Sequence, residues 1–222
     1  MDLSNEESIK ECLTKTINAF GELNVVVNNA GFGQIGFLEE TTDKDVRSSF
    51  EINVFGSLNV IRNSLPFLRK EKGAHIFNIS SISGFIAFGG SGIYSATKFA
   101  VTGLTEALAQ EVKPFGLHVT CILPGYFRTN FLSPDSIKYE SNPTDTYKEA
   151  REKQVAFIAE RNHQQVGDPD KLADVLISLS KEENPPVHLF VGKDAYEVAL
   201  SKVEVLKKEI VQWEKLATST DY

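Results

Sequence analysis

The chain is short of sulfur, with two cysteines and one methionine in 222 residues. Cys12 and Cys121 lie far apart and make neither a paired metal spacing nor a thiol-redox motif, which excludes a disulfide scaffold or a zinc ribbon. Cys12 falls on an apolar helix face and Cys121 in an apolar strand, the usual setting of inert core thiols. Positive charge is also scarce. Lys and Arg total 23 against 30 Asp and Glu, a formal charge of -7 that argues against nucleic acid or an anionic membrane as partner. No apolar run approaches a membrane span and the N-terminus is acidic rather than signal-like, so a cytoplasmic setting is expected. His75, His118, His163 and His188 are scattered without ligand spacing, so no metal site is expected. With no repeat, low-complexity tract or linker, residues 1–222 read as one domain.

What is present is an ordinary globular composition, 41% hydrophobic and 24% charged. Ser4 to Glu7 reads as a capping box, followed by Ile9, Cys12, Leu13, Ile17 and Phe20 at helical spacing up to Gly21. The valines within Asn24 to Asn28 predict a strand buried on both faces. A helix is predicted from Thr42 or Asp43 to about Arg69, a strand over 74–80, a helix over 93–112 and a short strand over 118–123. Residues 126–167 are polar with no clear strand, and form an insert that would cover the substrate. Asp168-Pro169 is a helix start, a capping side chain followed by proline at the first position. A last strand over 187–191 and a helix over 196–216 complete the chain. Strands separated by helices predict an α/β fold, a parallel sheet wrapped on both faces.

Open parallel sheets bind ligands beyond the carboxyl ends of their strands. Three such ends carry unusual residues: Asn28-Asn29-Ala30-Gly31, Ser80-Ser81 and Pro124-Gly125. Tyr94 and Lys98 follow one helical turn apart and share a face. A phenol titrates near ~10 and is a poor base at neutral pH, but a neighbouring ammonium favours its anion. A serine hydroxyl can donate to a carbonyl or alkoxide oxygen without changing charge. Such a set suits proton exchange at an oxygen whose carbon gains or loses hydride. Phe85, Phe88, Tyr126 and Phe127 are candidates to line an apolar substrate pocket.

Tyr-x-x-x-Lys alone is a weak signal; the spacing makes it a strong one. Ser81 lies 13 residues before Tyr94, Asn53 28 before Ser81, and Asn29 24 before Asn53. With NNAG at 28–31, NVFG at 53–56, NISSISG at 78–84, YSATK at 94–98 and PGYFRT at 124–129, the sequence strongly resembles the short-chain dehydrogenase/reductase family in its compact single-domain branch. The resemblance implies a Rossmann-like doubly wound sheet and an NAD- or NADP-dependent alcohol dehydrogenase or carbonyl reductase. It implies Tyr94 as acid/base, Ser81 as the oxygen-orienting hydroxyl, Lys98 as the group that lowers the tyrosine pKa and meets the nicotinamide ribose, and Asn53 as holder of a water linking Lys98 to solvent. Cofactor contacts are implied at Asn29, Ala30, Gly31, Tyr94, Lys98, Pro124, Gly125, Phe127 and Thr129. On the adenosine side they are implied at Asp2, Leu3 and Ile52. Ser81, Ser83, Tyr94 and Tyr126 are expected to meet the substrate. Helices 43–69 and 93–112 resemble the family's pairing surface, so a homodimer or homotetramer is expected. The alternative is a non-catalytic subunit that pairs through the same helices.

The family's glycine-rich phosphate turn does not occur in this sequence. Gly31-Phe32-Gly33-Gln34-Ile35-Gly36 spells a similar pattern but reads better as the loop after NNAG. The sheet is accordingly expected to be N-terminally incomplete, lacking strands one to three of the family order, about 55 to 60 residues by analogy with the two halves of such folds. The segment that would choose between NAD and NADP lies in that stretch.

Overall fold

The computed structural model describes every residue from Met1 to Tyr222. Helix α1 (Glu6–Phe20) is capped one residue later than Ser4. Asn5 Oδ1 accepts the backbone N–H groups of Glu7 and Ser8 at 3.0 and 3.3 Å. Ser4 instead turns back, its N–H and hydroxyl donating to Asp2 Oδ1 at 2.9 and 2.7 Å. An asparagine at the extended residue before a helix reaches those donors directly, leaving the serine no cap to make. Gly21, at φ +84°, ends the helix.

The remaining elements are β1 (Val25–Asn28), β2 (Gly33–Gln34), α2 (Asp43–Phe50), α3 (Ser57–Leu68), β3 (His75–Ile79), α4 (Gly92–Val112) and β4 (His118–Pro124). After these come β5 (Ile137–Lys138), α5 (Lys148–Arg161), α6 (Pro169–Leu179), β6 (His188–Val191), α7 (Lys193–Gln212) and α8 (Glu214–Ala217). Strands β1, β3, β4 and β6 form one parallel sheet in that order, with Val26 beside Ile76, Ile76 beside Val119 and Ile122 beside Leu189. On one face Ile9 and Leu13 of α1, Val60, Ile61 and Leu68 of α3, and Leu108 and Val112 of α4 pack on Val26, Ile76 and Val119. Full burial of such a side chain contributes about 1.5–3 kcal/mol. A second cluster joins Ala195 and Ala199 of α7 to Ile82, Phe85 and Phe190. The fold is the Rossmann-like α/β arrangement expected.

Four local expectations need correction. Strand β1 is not buried on both faces: Val26 points into the helix layer, while Val25 and Val27 are 41% and 45% exposed. Side chains alternate along a strand, and β1 stands at the margin of the sheet, away from the β6 side where α7 packs. The helix predicted over 43–69 starts as expected, with a Thr42–Asp45 capping box, but opens into a π-helical turn over Glu51–Gly56. Such single turns occur often at functional sites, and this one holds Asn53. Residues 126–167 do contain a strand: β5 pairs in parallel with β2. The last helix begins at Lys193 rather than at 196, and is interrupted at Trp213 before α8.

His75 sits in the sheet with 1% of its surface exposed, Nε2 2.9 Å from Thr120 Oγ1, and its ring stacked on Phe77 at 3.9 Å. Burial, assisted by the charge of nearby His118, pushes its pKa down from 6.5 to about 4. The unfolded chain therefore binds a proton that the folded chain refuses between those two values. Stability is unaffected above 6.5 and is lost progressively as pH falls to about 4, to a total of roughly 3 kcal/mol. Thermal unfolding of the chain and of His75→Gln at pH 7 and pH 4.5 checks this: the histidine form should lose more on acidification.

Candidate active site

The carboxyl ends of β1, β3 and β4 open onto one cavity of about 600 Å³. Asn29 and Gly31 follow β1, Ser81 and Ser83 follow β3, and Pro124, Gly125, Tyr126, Phe127 and Thr129 close β4 and follow it; all line the cavity with Tyr94 and Lys98. Phe88 lines it too, whereas Phe85 turns into the second core cluster, edge-on to Phe190 at 5.0 Å. Asn53, Ile52, Ala30, Asp2 and Leu3 are not on its wall.

Close packing brings α4 to the strand end. A Cβ on Gly84 would collide with Ser80 Oγ and lie 2.7 Å from the Lys98 carbonyl oxygen, so only glycine lets the turn after β3 touch the helix that carries Lys98. Ser80 completes that contact, its hydroxyl donating to the same carbonyl at 2.9 Å and meeting Thr102 Oγ1 at 3.0 Å. Ser81, by contrast, accepts the Ser83 N–H at 3.1 Å and turns its hydroxyl toward the Tyr94 phenol, on the cavity side. The spacing argument for Ser81 over Ser80 acquires a geometric reason.

Asn53 is 1% exposed and clamps the loop after β1. Its Oδ1 accepts the Phe32 N–H at 3.0 Å, and its Nδ2 donates to the Phe32 carbonyl at 2.9 Å and to Thr97 Oγ1 at 3.2 Å. Thr97 in turn donates to the Tyr94 carbonyl at 2.7 Å. The π-turn, the NNAG loop and the first turn of α4 are thereby tied together. A Cβ on Gly31 would lie 3.0 Å from Asn53 Oδ1 and 3.7 Å from Lys98 Nζ, so both polar groups border the space beneath Gly31. Both amide protons of Asn53 are used, and Oδ1 keeps one lone pair for a further donor.

Burial governs the titration of the pair. It pushes the Tyr94 phenol up to about 12, the nearby Tyr126 adding to the rise and the Ser81 hydroxyl opposing it. It pushes the Lys98 ammonium down to about 8. Lys98 Nζ lies 5.7 Å from the Tyr94 ring centre and donates to the Ile79 carbonyl at 2.9 Å. A low-dielectric site penalises both charged forms, and that penalty is the largest influence on each, so the phenol's net shift is upward even beside Lys98.

Several cavity residues escaped the sequence reading: Phe131 and Leu132, Gln154, Phe157 and Ile158 of α5, and Asp194 and Val198 of α7. Asp194 carried a signal, an acidic residue two after Gly192, whose φ is +97°. Its Oδ2 accepts the Tyr126 N–H at 2.8 Å, and a Cβ on Gly125 would collide with its carboxylate. The insert residues carried none, since nothing local says which side of a polar helix faces inward. Arg128 Nε donates to the Gln165 carbonyl at 3.0 Å, and Tyr126 and Arg128 exchange backbone bonds with Gly167 at 3.0 and 2.8 Å, closing the base of the insert. No group of three or more His, Cys, Asp and Glu gathers where it could hold a metal ion, and no helix is long and apolar enough to cross a membrane.

A family model described as short chain dehydrogenase matches residues 1–140. An oxidoreductase from Botryotinia fuckeliana is 31% identical over 99% of this chain and 80% of its own length. A 3-ketodihydrosphingosine reductase from Bacteroides thetaiotaomicron is 34% identical over 86% of this chain and 71% of its own. Among solved structures, a short-chain dehydrogenase from Streptomyces avermitilis aligns with a TM-score of 0.87 at 34% identity, covering 100% of this chain and 80% of the other. A short-chain dehydrogenase/reductase from Burkholderia phymatum, solved in complex with NAD, aligns at 0.78 with 25% identity over 96% of this chain and 75% of the other. Matched along most of its length and carrying the serine, tyrosine and lysine on one cavity, the chain belongs to the short-chain dehydrogenase/reductase family.

Proposed function

We propose that the chain interconverts an alcohol and a carbonyl compound with NAD or NADP, using Ser81, Tyr94 and Lys98 as its catalytic groups and Asn53 as their support. The observation that carries this reading is the convergence of Ser81, Tyr94 and Lys98 on one cavity at the carboxyl ends of the sheet. A relative named as a ketone reductase and a neighbour solved with NAD support the reaction class.

The residues present fit a nicotinamide cofactor. Gly31 and Gly125 leave bare backbone on the floor of the cavity, where a side chain would press on Asn53 or Asp194. Asn29, Ala30 and Gly31 on one side and Pro124, Gly125, Phe127 and Thr129 on the other would hold it, with Asp2, Leu3 and Ile52 toward its adenosine end. Bound there, NAD(P) supplies or accepts the hydride. The chain's own groups handle the proton. In reduction, Ser81 donates a hydrogen bond to the carbonyl oxygen, and Tyr94, protonated at neutral pH, gives that oxygen its proton. Lys98 stabilises the phenolate left behind, and the lone pair on Asn53 Oδ1 offers a place for the water that returns the proton. The low-dielectric surroundings of Lys98, which is 4% exposed, would strengthen these contacts.

Following the absorbance of reduced nicotinamide with a set of simple ketones tests the assignment. Ser81→Ala should lower kcat by about a hundredfold, the usual weight of one oxyanion-type donor. A variant as active as the parent would reject the role given to Ser81.

We further propose pairing of two chains through α2–α3 and α4. Phe55 and Phe99, on those helices, are 48% and 44% exposed, more apolar ring than a solvated helix face needs. Sedimentation velocity should show a dimer or tetramer, and Phe55→Glu should shift it toward monomer.

A further inference from the structure

The cavity holds one cation, Lys98, and one anion, Asp194; every other lining side chain is neutral. Lys98 is engaged with the Ile79 carbonyl beside Tyr94, at the reacting end. Away from it the wall is uncharged, with Phe88, Leu132, Phe157, Ile158 and Val198 supplying apolar surface and Gln154 and Gln165 among them.

The insert that forms much of this wall is not poor in positive charge, which makes the distribution informative. Arg151 is drawn to Glu40 and Glu140 at 2.7 and 3.4 Å. Lys138 sits over the Phe32 ring at 4.1 Å, Lys153 pairs with Glu149 at 2.6 Å, and Arg128 is bonded to Gln165. Arg161 stacks 3.4 Å over the Phe157 ring, which itself lines the cavity, and its charge is felt by Tyr126. Lys148 is absent from the wall as well, so none of the insert's six cations lines the cavity. An anionic substrate would lose its hydration in this space, find no cation on the wall but the engaged Lys98, and face the Asp194 carboxylate. An uncharged apolar body would lose only water.

We infer that the substrate is an uncharged ketone or alcohol with an apolar body, and that carboxylate- or phosphate-bearing carbonyl compounds are rejected. This rests on the hydride-transfer reading above and assigns its substrate class. Methyl 4-acetylbenzoate and 4-acetylbenzoate differ by a methyl group and a negative charge, and present the same ketone. With reduced cofactor, the ester should be turned over with kcat/KM more than about tenfold above the acid, the least expected from one unpaired buried charge. Val198→Lys and, independently, Leu132→Arg each place a cation on the apolar wall, and should raise the acid-to-ester ratio by about tenfold or more. Equal or better use of the acid by the unaltered chain would overturn the inference, as would an unchanged ratio in both variants. Should neither compound react, calorimetric titration of the same pair into the protein decides. Binding of the ester alone upholds the cavity assignment while counting against hydride transfer, and binding of the acid, or of neither, overturns it.

Discussion

Tyr94→Phe is expected to cut turnover by about 10²–10⁴-fold, the range for loss of a general acid or base, with little change in folding. The variant removes one oxygen from a ring whose packing against Phe131, 5.7 Å between centres, is retained. No hydrogen bond that maintains the fold depends on the phenol oxygen: the link to Asn53 runs through the Tyr94 backbone carbonyl and Thr97. Far-ultraviolet circular dichroism and thermal unfolding should therefore match the parent, and activity near the parent's would reject Tyr94 as the proton donor. The pH dependence carries a second check. With the phenol raised to about 12, carbonyl reduction finds its proton donor in place throughout the neutral range. Alcohol oxidation needs the phenolate, and should climb with pH until Lys98, lowered to about 8, surrenders the charge that stabilises it. Rate profiles of the two directions between pH 6 and 10 should diverge in that sense.

Arg151→Met is expected to give the largest loss of stability, lowering Tm by about 10 °C, as for removal of one partner from a buried ion pair in a chain of this size. The guanidinium serves two carboxylates that are 0% and 2% exposed, Glu40 and Glu140. Burial alone would raise the Glu40 pKa, but the Thr144 backbone N–H, Arg151 and the Thr144 hydroxyl together hold it below the usual carboxylate range. Each carboxylate already keeps one oxygen without a partner, and without Arg151 only Thr144 still bonds Glu40. In the variant the uncompensated carboxylates are relieved by protonation, so the deficit should narrow as pH is lowered. A Tm within a degree or two of the parent would show that the cluster contributes little. The effect should reach the active site as well, because Arg151 anchors α5, which presents Gln154, Phe157 and Ile158 to the cavity. Glu40 receives Arg151 and Thr144, Asp45 receives the Ser141 hydroxyl at 2.6 Å, and Tyr147 stacks on Phe37 at 4.5 Å. The insert is thus held to the segment between β2 and α2, and loosening it should raise KM more than it lowers kcat.

Much of this molecule was legible in the order of its residues. Short apolar runs marked β3 and β4, helical spacing marked α1 and α4 and put Tyr94 and Lys98 on one face, and family resemblance linked them to Asn29, Asn53 and Ser81. Tertiary structure decided what depends on partners distant in sequence. It placed β5 beside β2, and turned Phe85 into the core rather than the cavity. It also set the net direction of the phenol's shift, upward, since desolvation depends on everything that surrounds a group. The chemistry follows from local spacing; the charge, shape and closure of the space in which it runs follow from contacts across more than a hundred residues, such as Glu40 with Arg151.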